Sequence, residues 1–158
     1  MKIIFLDIDG VLNHDDWYVS PEFSALSTAD DVELDVDPKC TQRLIEICEK
    51  CDAKIVISSS WRINMYSAAK RLERGGLPIE LVIDGTPDFT FLCIKNIDIS
   101  RGDEIAIYLE KHPEISNYVI IDDAVNFHEN QLQHFVHINA KHGLTEEKKQ
   151  EAINILNH

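Results

Sequence analysis

The sequence predicts an α/β fold, a three-layer sandwich in which helices cover both faces of a central, mostly parallel sheet. Short apolar runs of strand length alternate with amphipathic helical stretches along the chain. The first run has no polar alternation, which is typical of a strand that is buried on both faces. Clusters of polar residues follow the apolar runs directly, and parallel sheets carry their functional groups at the carboxyl ends of the strands. These observations favour a doubly covered sheet with a site along one edge.

The first half of the chain predicts two strands and two helices. Residues 2–6 form a β-branched and aromatic strand that ends in the turn Asp-Ile-Asp-Gly. Residues 14–37 are polar, acidic and weakly periodic, so we expect an irregular excursion there. Asp37-Pro38 begins a helix, because Asp is a good N-cap and Pro suits the first helical position. A strand over residues 54–58 and a helix over residues 66–74 follow.

The second half continues the same alternation. Two helices are expected to begin after the N-caps Ser100 and Thr145, and His112-Pro113 ends the first of them. The remaining strands are expected over residues 80–83, 118–121 and 135–138.

Length and composition fit a single globular domain. A chain of 158 residues buries enough surface to need no disulfide or metal for its stability. We expect one domain over residues 1–158, with residues 14–37 as a short lid-like insertion. The net charge of −13 repels polyanions and disfavours non-specific binding to long nucleic acid or to an anionic membrane. A local basic pocket for one phosphate remains compatible with it.

The apolar segments and the cysteines indicate a cytoplasmic protein. No apolar run approaches the ~18 residues of a membrane span, and the apolar start is too short for a secretory signal. Cys48 and Cys51 form a CxxC pair, but the second pair that a zinc ribbon requires is missing. We expect these two and the remaining cysteines, Cys40 and Cys93, to be thiols in a reducing compartment.

Two pairs of acids follow apolar runs. Asp7 and Asp9 are two residues apart, which in extended backbone places both side chains on one side. Such carboxylates repel each other unless a cation lies between them or one holds a proton. Gly10 lets the chain turn and brings N–H groups close to a bound anion; a solvated acidic turn is the alternative. The pair Asp122 and Asp123 likewise implies a metal or a strong cationic partner.

Hydroxyl groups and one basic residue supply possible contacts to an anion. Ser58, Ser59 and Ser60 follow the second strand, and a hydroxyl there can donate to a phosphoryl oxygen. The alternative is that serines cap the next helix, above all Ser60. Arg101 begins a helix, where its guanidinium and the helix dipole together favour an anion. Its alternative is an ordinary surface arginine.

Aromatic residues near these clusters also have two interpretations. Trp17, Tyr18 and Phe23 could stack on a nucleotide base, or they could pack and anchor the loop, which is the commoner role. Trp61 and Arg62 offer the same choice between a substrate rim and packing, and for Trp61 we favour packing against the core.

Four motifs resemble those of the haloacid dehalogenase (HAD) superfamily. They are residues 5–13 (FLDIDGVLN), 57–62 (ISSSWR), 101–105 (RGDEI) and 120–123 (IIDD). More narrowly, the first three are similar to HAD domains of Swiss Army Knife RNA repair proteins and their stand-alone relatives. The resemblance extends from residue 2 to about residue 139. It implies a Rossmann-like, HAD-like fold.

The resemblance implies a Mg²⁺-dependent phosphatase that hydrolyses phosphomonoesters through an aspartyl phosphate. By this resemblance Asp7 is the nucleophile that attacks phosphorus, and Asp9 is the general acid and then the base that activates water. The Asp7 carboxylate, the Asp9 backbone carbonyl and Asp122 would hold Mg²⁺. Asp123 would support that shell or ligate in place of Asp122.

The other two motifs imply contacts to the phosphoryl group. Ser59 matches the second-motif hydroxyl best, and Ser58 is its rival. Arg101 stands where the superfamily usually has Lys, so its contact geometry differs, and Lys95 is the alternative. The expected substrate contacts are Gly10, Ser60 and Arg62.

The intervals between the motifs exclude a substantial cap domain. They comprise 24 residues (14–37) and 39 residues (62–100), and the second must also hold core elements. An open site in this superfamily suits a nucleotide, a nucleic acid end or a phosphoprotein, although small phosphoesters fit as well. The negative charge argues against long nucleic acid. Alternatives from other classes are a receiver-like phosphoacceptor module and a catalytically silent HAD-like binding protein.

Overall fold

The computed structural model describes residues 1–27, 35–89 and 99–158, so Cys93 and Lys95 lie outside the described residues. Within these ranges the structure is an α/β sandwich around one parallel sheet. Its strand order is β3-β2-β1-β4-β5. The strands are β1 (Lys2–Leu6), β2 (Ala53–Ile57), β3 (Val82–Gly85), β4 (Asn117–Asp122) and β5 (Phe135–His137). The predicted fold class is confirmed.

The register of the central strands determines which residues meet at the edge of the sheet. Leu6 of β1 is paired with Ile57 of β2 on one side and with Ile121 of β4 on the other. The ladder continues beyond these pairs, because the Asp7 amide donates to the Ile121 carbonyl and the Ser58 amide donates to the Leu6 carbonyl. The residues that follow β1, β2 and β4 therefore lie side by side at one edge.

Helices cover both faces of the sheet. They are α1 (Asp15–Tyr18), α2 (Pro21–Ser27), α3 (Pro38–Cys51), α4 (Met65–Arg74), α5 (Arg101–Lys111) and α6 (Glu146–Asn157). Short 3-10 helices span Ser60–Asn64, Ile79–Leu81 and Glu129–His134. Leu6 packs with Leu44 of α3 and Ile153 of α6 on one face, whereas Phe5 packs with Ile105 of α5 on the other. Because the faces alternate along β1, this strand is buried on both sides.

Three side-chain caps confirm the helix starts that the sequence predicts. Asp37 accepts a hydrogen bond from the Lys39 amide at the start of α3. Ser100 forms a capping box with Asp103 at the start of α5, and Thr145 caps α6. Each of these caps satisfies a backbone N–H that has no partner inside the helix.

The expectation of irregular structure over residues 14–37 is wrong for two stretches. Residues 15–18 form α1 and residues 21–27 form α2. His14 accepts from the Trp17 amide and Ser20 accepts from the Phe23 amide, so each short helix has a polar cap. The rings of Trp17 and Phe23 then pack edge to face, with centroids 5.7 Å apart. The caps and this packing stabilise two short helices that the weak hydrophobic periodicity of the sequence did not indicate.

The remaining differences are smaller. The third strand begins at Val82 and not at the expected residue 80, because Ile79–Leu81 forms a 3-10 turn. Cys40, Cys48 and Cys51 are buried free thiols, as expected. Among the described helices, none combines the length and the apolar character that crossing a membrane requires.

Candidate active site

Three carboxylates meet at the carboxyl edge of the sheet. Asp7 follows β1, Asp122 ends β4 and Asp123 comes next, and one oxygen of each lies within 4.8 Å of the others. Asp7 is 4% exposed and Asp122 is fully buried. With Arg101, these three residues are here called the edge cluster. The sequence predicted this convergence, because each acid directly follows an apolar strand.

The Arg101 side chain joins two of these acids. Its Nη1 donates to Asp7 Oδ1 at 2.6 Å and to Asp122 Oδ2 at 2.5 Å. Arg101 is the first residue of α5, and the Ser100–Asp103 capping box fixes the start of that helix. Three carboxylates thus face one guanidinium, which leaves an excess of negative charge in a partly buried place.

The pKa values of the two buried acids reflect this imbalance. Burial, and after it the charge of Asp122, raises the pKa of Asp7 to about 7, although Arg101 opposes the shift. Burial also raises the pKa of Asp122, against the attraction of Arg101 and a hydrogen bond from the Ala124 amide. Both shifts mean that the ionised carboxylates are under-compensated by the protein's own groups.

The donor set of the edge cluster fits a hard divalent cation. Carboxylate oxygens are the ligands that Mg²⁺ prefers, and an added cation would balance the excess charge. Gly10 permits the arrangement, since it has a φ of +79° and a Cβ on it would lie 2.5 Å from Asp123 Oδ2. Only a residue without a side chain allows Asp123 to approach this turn so closely.

The Asp9 side chain lies on the rim of the site. It is exposed, and together with Asp7, Gly10 and Arg101 it lines a cavity of about 440 Å³. Asp9 therefore faces the same open space as Asp7, which is the relation that the motif predicts.

Asn13 and Trp61 hold the Asp9 carboxylate through contacts that the sequence did not predict; for Trp61 it predicted packing against the core, which the structure also shows. Asn13 Nδ2 donates to Asp9 Oδ1 at 2.8 Å, and Trp61 Nε1 donates to Asp9 Oδ2 at 3.0 Å. The Asn13 side chain also accepts from the Gly10 amide at 2.9 Å. A short polar residue four positions after Asp9 was the available signal for Asn13. No local pattern links Trp61 to Asp9.

The three serines after β2 have different environments. The Ser59 hydroxyl accepts from the Trp61 amide at 3.1 Å and caps the 3-10 turn Ser60–Asn64, which is the structural role that the sequence left open. Ser58 is two residues after Val56, which shares a face with Phe5, so register places Ser58 on the same face as Asp7. Its hydroxyl is buried and has no hydrogen-bond partner in the part of the chain that the structure describes. Ser60 lines the 440 Å³ cavity.

Arg62 does not line that cavity. Its Nη1 donates to the carbonyls of Ser58 and Ser59, and its Nη2 donates to Glu104 Oε1 at 2.6 Å. The side chain is 7% exposed. These bonds tie the end of β2 to α5 and leave the guanidinium facing away from the cavity that holds Asp7.

The aromatic residues of the first interval divide between the two interpretations. Trp17 is buried and Phe23 packs on its ring. Tyr18 packs edge to face on Phe23 as well, but it is 45% exposed and lines the cavity beside Asp7. Tyr18 is thus the one of the three that a ligand in this cavity would meet.

A second cluster of metal-ligating residue types lies near the first interval. His14, Asp37 and Cys40 are all buried, and their ligand atoms lie within 4.8 Å of one another. His14 Nδ1 lies 3.2 Å from both the Trp17 amide nitrogen and the Lys141 carbonyl oxygen, and His14 Nε2 lies 3.0 Å from Asp37 Oδ2. The Cys40 thiol donates toward Asp37 Oδ2 and the Leu144 carbonyl. We call these three residues the inner cluster.

A larger cleft of about 700 Å³ lies at the opposite edge of the sheet, beside the first residues of β1 and β4. Lys2 and Asn117 line it, and its described lining includes no Asp or Glu side chain. Chemistry that needs carboxylates therefore belongs to the smaller cavity at the carboxyl edge.

The fold and the edge cluster define a Rossmann-like α/β domain of the haloacid dehalogenase type. Residues 3–149 match the family model described as the HAD domain in Swiss Army Knife RNA repair proteins. Because the match spans 147 of the 158 residues, the chain belongs to this family. No curated protein and no solved structure matches the chain significantly. Family membership supports a HAD-type phosphohydrolase in general terms.

Proposed function

We propose that the protein is a Mg²⁺-dependent phosphatase that hydrolyses phosphomonoesters through a phosphorylated Asp7. One observation carries this proposal: a buried carboxylate lines an open cavity and contacts Arg101, and two further carboxylates lie beside it. Phosphoryl transfer depends mainly on positioning and on neutralising the charge of the transferred group. The edge cluster supplies a carboxylate and a guanidinium for these tasks, and Asp9 faces the same cavity.

The proposed ligands of Mg²⁺ are the carboxylates of Asp7 and Asp122 and the backbone carbonyl of Asp9. Asp123 supports them or ligates in place of Asp122. Bound Mg²⁺ would neutralise charge on the phosphoryl oxygens and favour the ionised form of Asp7.

The reaction then needs two proton transfers at Asp9, one to the leaving group and one from water. In the first step a carboxylate oxygen of Asp7 forms a bond to phosphorus while the bond from phosphorus to the leaving oxygen breaks. Asp9 gives its proton to that oxygen, so the alcohol leaves neutral. In the second step Asp9 takes a proton from water, the water oxygen bonds to phosphorus, and the bond to Asp7 breaks. Inorganic phosphate is released, Asp7 is again a carboxylate and Asp9 is again protonated.

Other residues contact the phosphoryl group in this proposal. Arg101 supplies positive charge, since its guanidinium already reaches the Asp7 carboxylate. We propose Ser58 in place of Ser59 as the second-motif hydroxyl, because register places it on the face of Asp7, whereas the Ser59 hydroxyl caps a turn. Ser58 is fully buried behind the residues that line the cavity, so this contact requires its unpaired hydroxyl to turn toward the phosphoryl group. Gly10 and Ser60 line the cavity and stay proposed substrate contacts. Arg62 has no such role here.

We propose a nucleotide or a nucleic acid end as the substrate class. The family description names RNA repair proteins, and the exposed ring of Tyr18 offers a stacking surface in the cavity. The net charge of −13 favours a short or terminal phosphate over a long polyanion. We further propose one domain over residues 1–158, with residues 14–37 as a short insertion in it, in a cytoplasmic protein.

Hydrolysis of p-nitrophenyl phosphate tests the proposed activity. The wild-type protein should release phosphate with Mg²⁺ and lose this activity in EDTA. Asp7→Asn should abolish it, whereas the matched variant Asp52→Asn should retain it, since Asp52 is a helix C-cap in a left-handed conformation that Asn adopts readily. Activity that survives Asp7→Asn would contradict the proposal.

A further inference from the structure

Trp61 and Asn13 together fix the orientation of the Asp9 carboxylate. The indole N–H of Trp61 reaches Oδ2 at 3.0 Å, and the Asn13 amide reaches Oδ1 at 2.8 Å. Each oxygen therefore has a donor from a different part of the chain. An exposed carboxylate on a loop would otherwise rotate freely, and both donors restrict that rotation.

Trp61 is itself held by three contacts. Its backbone amide donates to the Ser59 hydroxyl at 3.1 Å, and its ring packs against the hydrophobic core. The guanidinium carbon of Arg71 lies 3.6 Å from the centre of the indole ring, within the range of a cation–π contact. Arg71 Nε also donates to Asp35 Oδ2 at 2.5 Å, so the far end of the first interval joins this chain of contacts.

We propose that Trp61 is a positioning residue for the proton transfers of Asp9, and that the Arg71–Asp35 ion pair holds the indole in place. This inference rests on the proposed function, because it requires that Asp9 act as the general acid. The donor that positions the acid lies 52 residues away in sequence, on the turn after β2. Trp61 touches neither phosphorus nor metal in this account and acts only through Asp9.

The chemistry of the leaving group separates positioning from a purely structural role. A p-nitrophenolate ion leaves without much help from a proton, whereas an alkoxide needs the proton that Asp9 supplies. Loss of the indole N–H should therefore slow alkyl phosphates much more than aryl phosphates. The ratio kcat/KM reports the formation of the phosphoenzyme, so the later role of Asp9 as a base does not enter it.

The test is Trp61→Phe, assayed on p-nitrophenyl phosphate and on glycerol 2-phosphate. Phe keeps an aromatic ring under Arg71 and removes the N–H. We expect kcat/KM to fall about tenfold more for the glycerol ester than for the aryl ester, a part of the roughly 10²–10⁴-fold that a positioned general acid contributes. The matched control is Trp17→Phe, since the Trp17 indole nitrogen has no partner within the described residues. It should leave the ratio between the two esters unchanged.

Equal losses on both esters, or no loss on either, would overturn the positioning role. A wild-type protein that hydrolyses neither ester would instead remove the proposed function, and the role of Trp61 with it. The two failures are thus distinguishable by the wild-type rates alone.

A second measurement does not depend on the folding of Trp61→Phe. The chain has two tryptophans, so a ¹⁵N-labelled sample gives two indole N–H signals, which Trp17→Phe assigns. Asp9→Asn should move the Trp61 signal, because its acceptor changes from a carboxylate to an amide, and should leave the Trp17 signal in place. An unmoved Trp61 signal would show that the hydrogen bond is absent in solution and would contradict the inference.

Discussion

The edge cluster and the inner cluster each bring three possible metal-ligating side chains within 4.8 Å of one another, but they differ in how their charges are balanced. At the sheet edge one guanidinium donates to two of three neighbouring carboxylates, and the pKa of Asp7 is raised to about 7. In the inner cluster one carboxylate faces a histidine and a thiol. Burial and the charge of Asp37 raise the pKa of Cys40 to about 12, so that thiol stays neutral.

Hydrogen bonding separates the two clusters further. Asp37 accepts from His14 Nε2 with one oxygen and from the Lys39 amide with the other. Cys40 donates toward Asp37 and the Leu144 carbonyl. The inner cluster is saturated by its own neighbours and ties the start of α1 to the start of α3. The edge cluster retains uncompensated charge, which is the property that binds a cation. Proximity of ligand types alone does not make a metal site.

The largest expected difference concerns the arginines beside the two clusters. Arg101→Ala should lower kcat/KM for p-nitrophenyl phosphate by roughly 10²–10³-fold, the usual loss when one stabilising donor is removed. Arg101→Lys should recover part of it, because the charge remains. Arg43 donates to the Leu144 carbonyl near the inner cluster, and Arg43→Ala should change the rate by less than about twofold. Comparable losses of kcat/KM in Arg101→Ala and Arg43→Ala would contradict the assignment of the active site to the edge cluster.

The next difference concerns the requirement for Mg²⁺. Asp122→Asn should raise the Mg²⁺ concentration for half-maximal activity about 10–100-fold, because a charged ligand is lost. Cys40→Ala should leave this concentration unchanged. A titration of activity with Mg²⁺ in both variants measures the effect. A higher Mg²⁺ concentration for half-maximal activity in Cys40→Ala alone would place the metal in the inner cluster and contradict the proposal.

The smallest difference is one of stability and has opposite signs in the two clusters. The pKa of Asp7 lies above its ordinary value of 3.8, so its ionisation favours the unfolded chain, and the penalty grows as the pH rises from about 4 to 7. In EDTA at pH 8, Asp7→Asn should therefore raise Tm by about 5 °C, and the gain should shrink toward pH 4. Asp37→Asn should lower Tm by about 5 °C, because Asn keeps one acceptor oxygen, so either His14 Nε2 or the Lys39 amide then faces another donor.

Thermal unfolding followed by circular dichroism measures both variants at pH 8 and pH 4.5. Wild-type protein in the same buffers is the reference. A lower Tm for Asp7→Asn at pH 8 would mean that the edge cluster is balanced without a cation, in conflict with the charge argument.

The parts of the site that follow from local pattern were predictable from the sequence. Asp7 and Asp122 come directly after apolar strands, and parallel pairing brings such positions to one edge. The sequence predicted that Arg101 begins a capped helix, but its contact with Asp7 was open, since a surface arginine and Lys95 were the alternatives. The second strand was predicted over residues 54–58, one residue later than Ala53–Ile57 in the structure. An error of one residue is enough to exchange Ser58 and Ser59, because adjacent residues of a strand face opposite sides.

Tertiary contacts account for what sequence reasoning missed. Trp61 meets Asp9 across 52 residues, and Arg62 meets Glu104 across 42 residues, so no local pattern encodes either contact. The short helices α1 and α2 likewise depend on side-chain caps and on the packing of Trp17, because isolated helices of this length are not stable.

A crystal structure of the protein with Mg²⁺ and beryllofluoride would show whether Asp7 is the nucleophile. We expect beryllium bonded to a carboxylate oxygen of Asp7, with Mg²⁺ held among Asp7, the Asp9 carbonyl and Asp122 or Asp123. A structure with Asp7 turned away from the fluoride and no ion beside it would contradict the account.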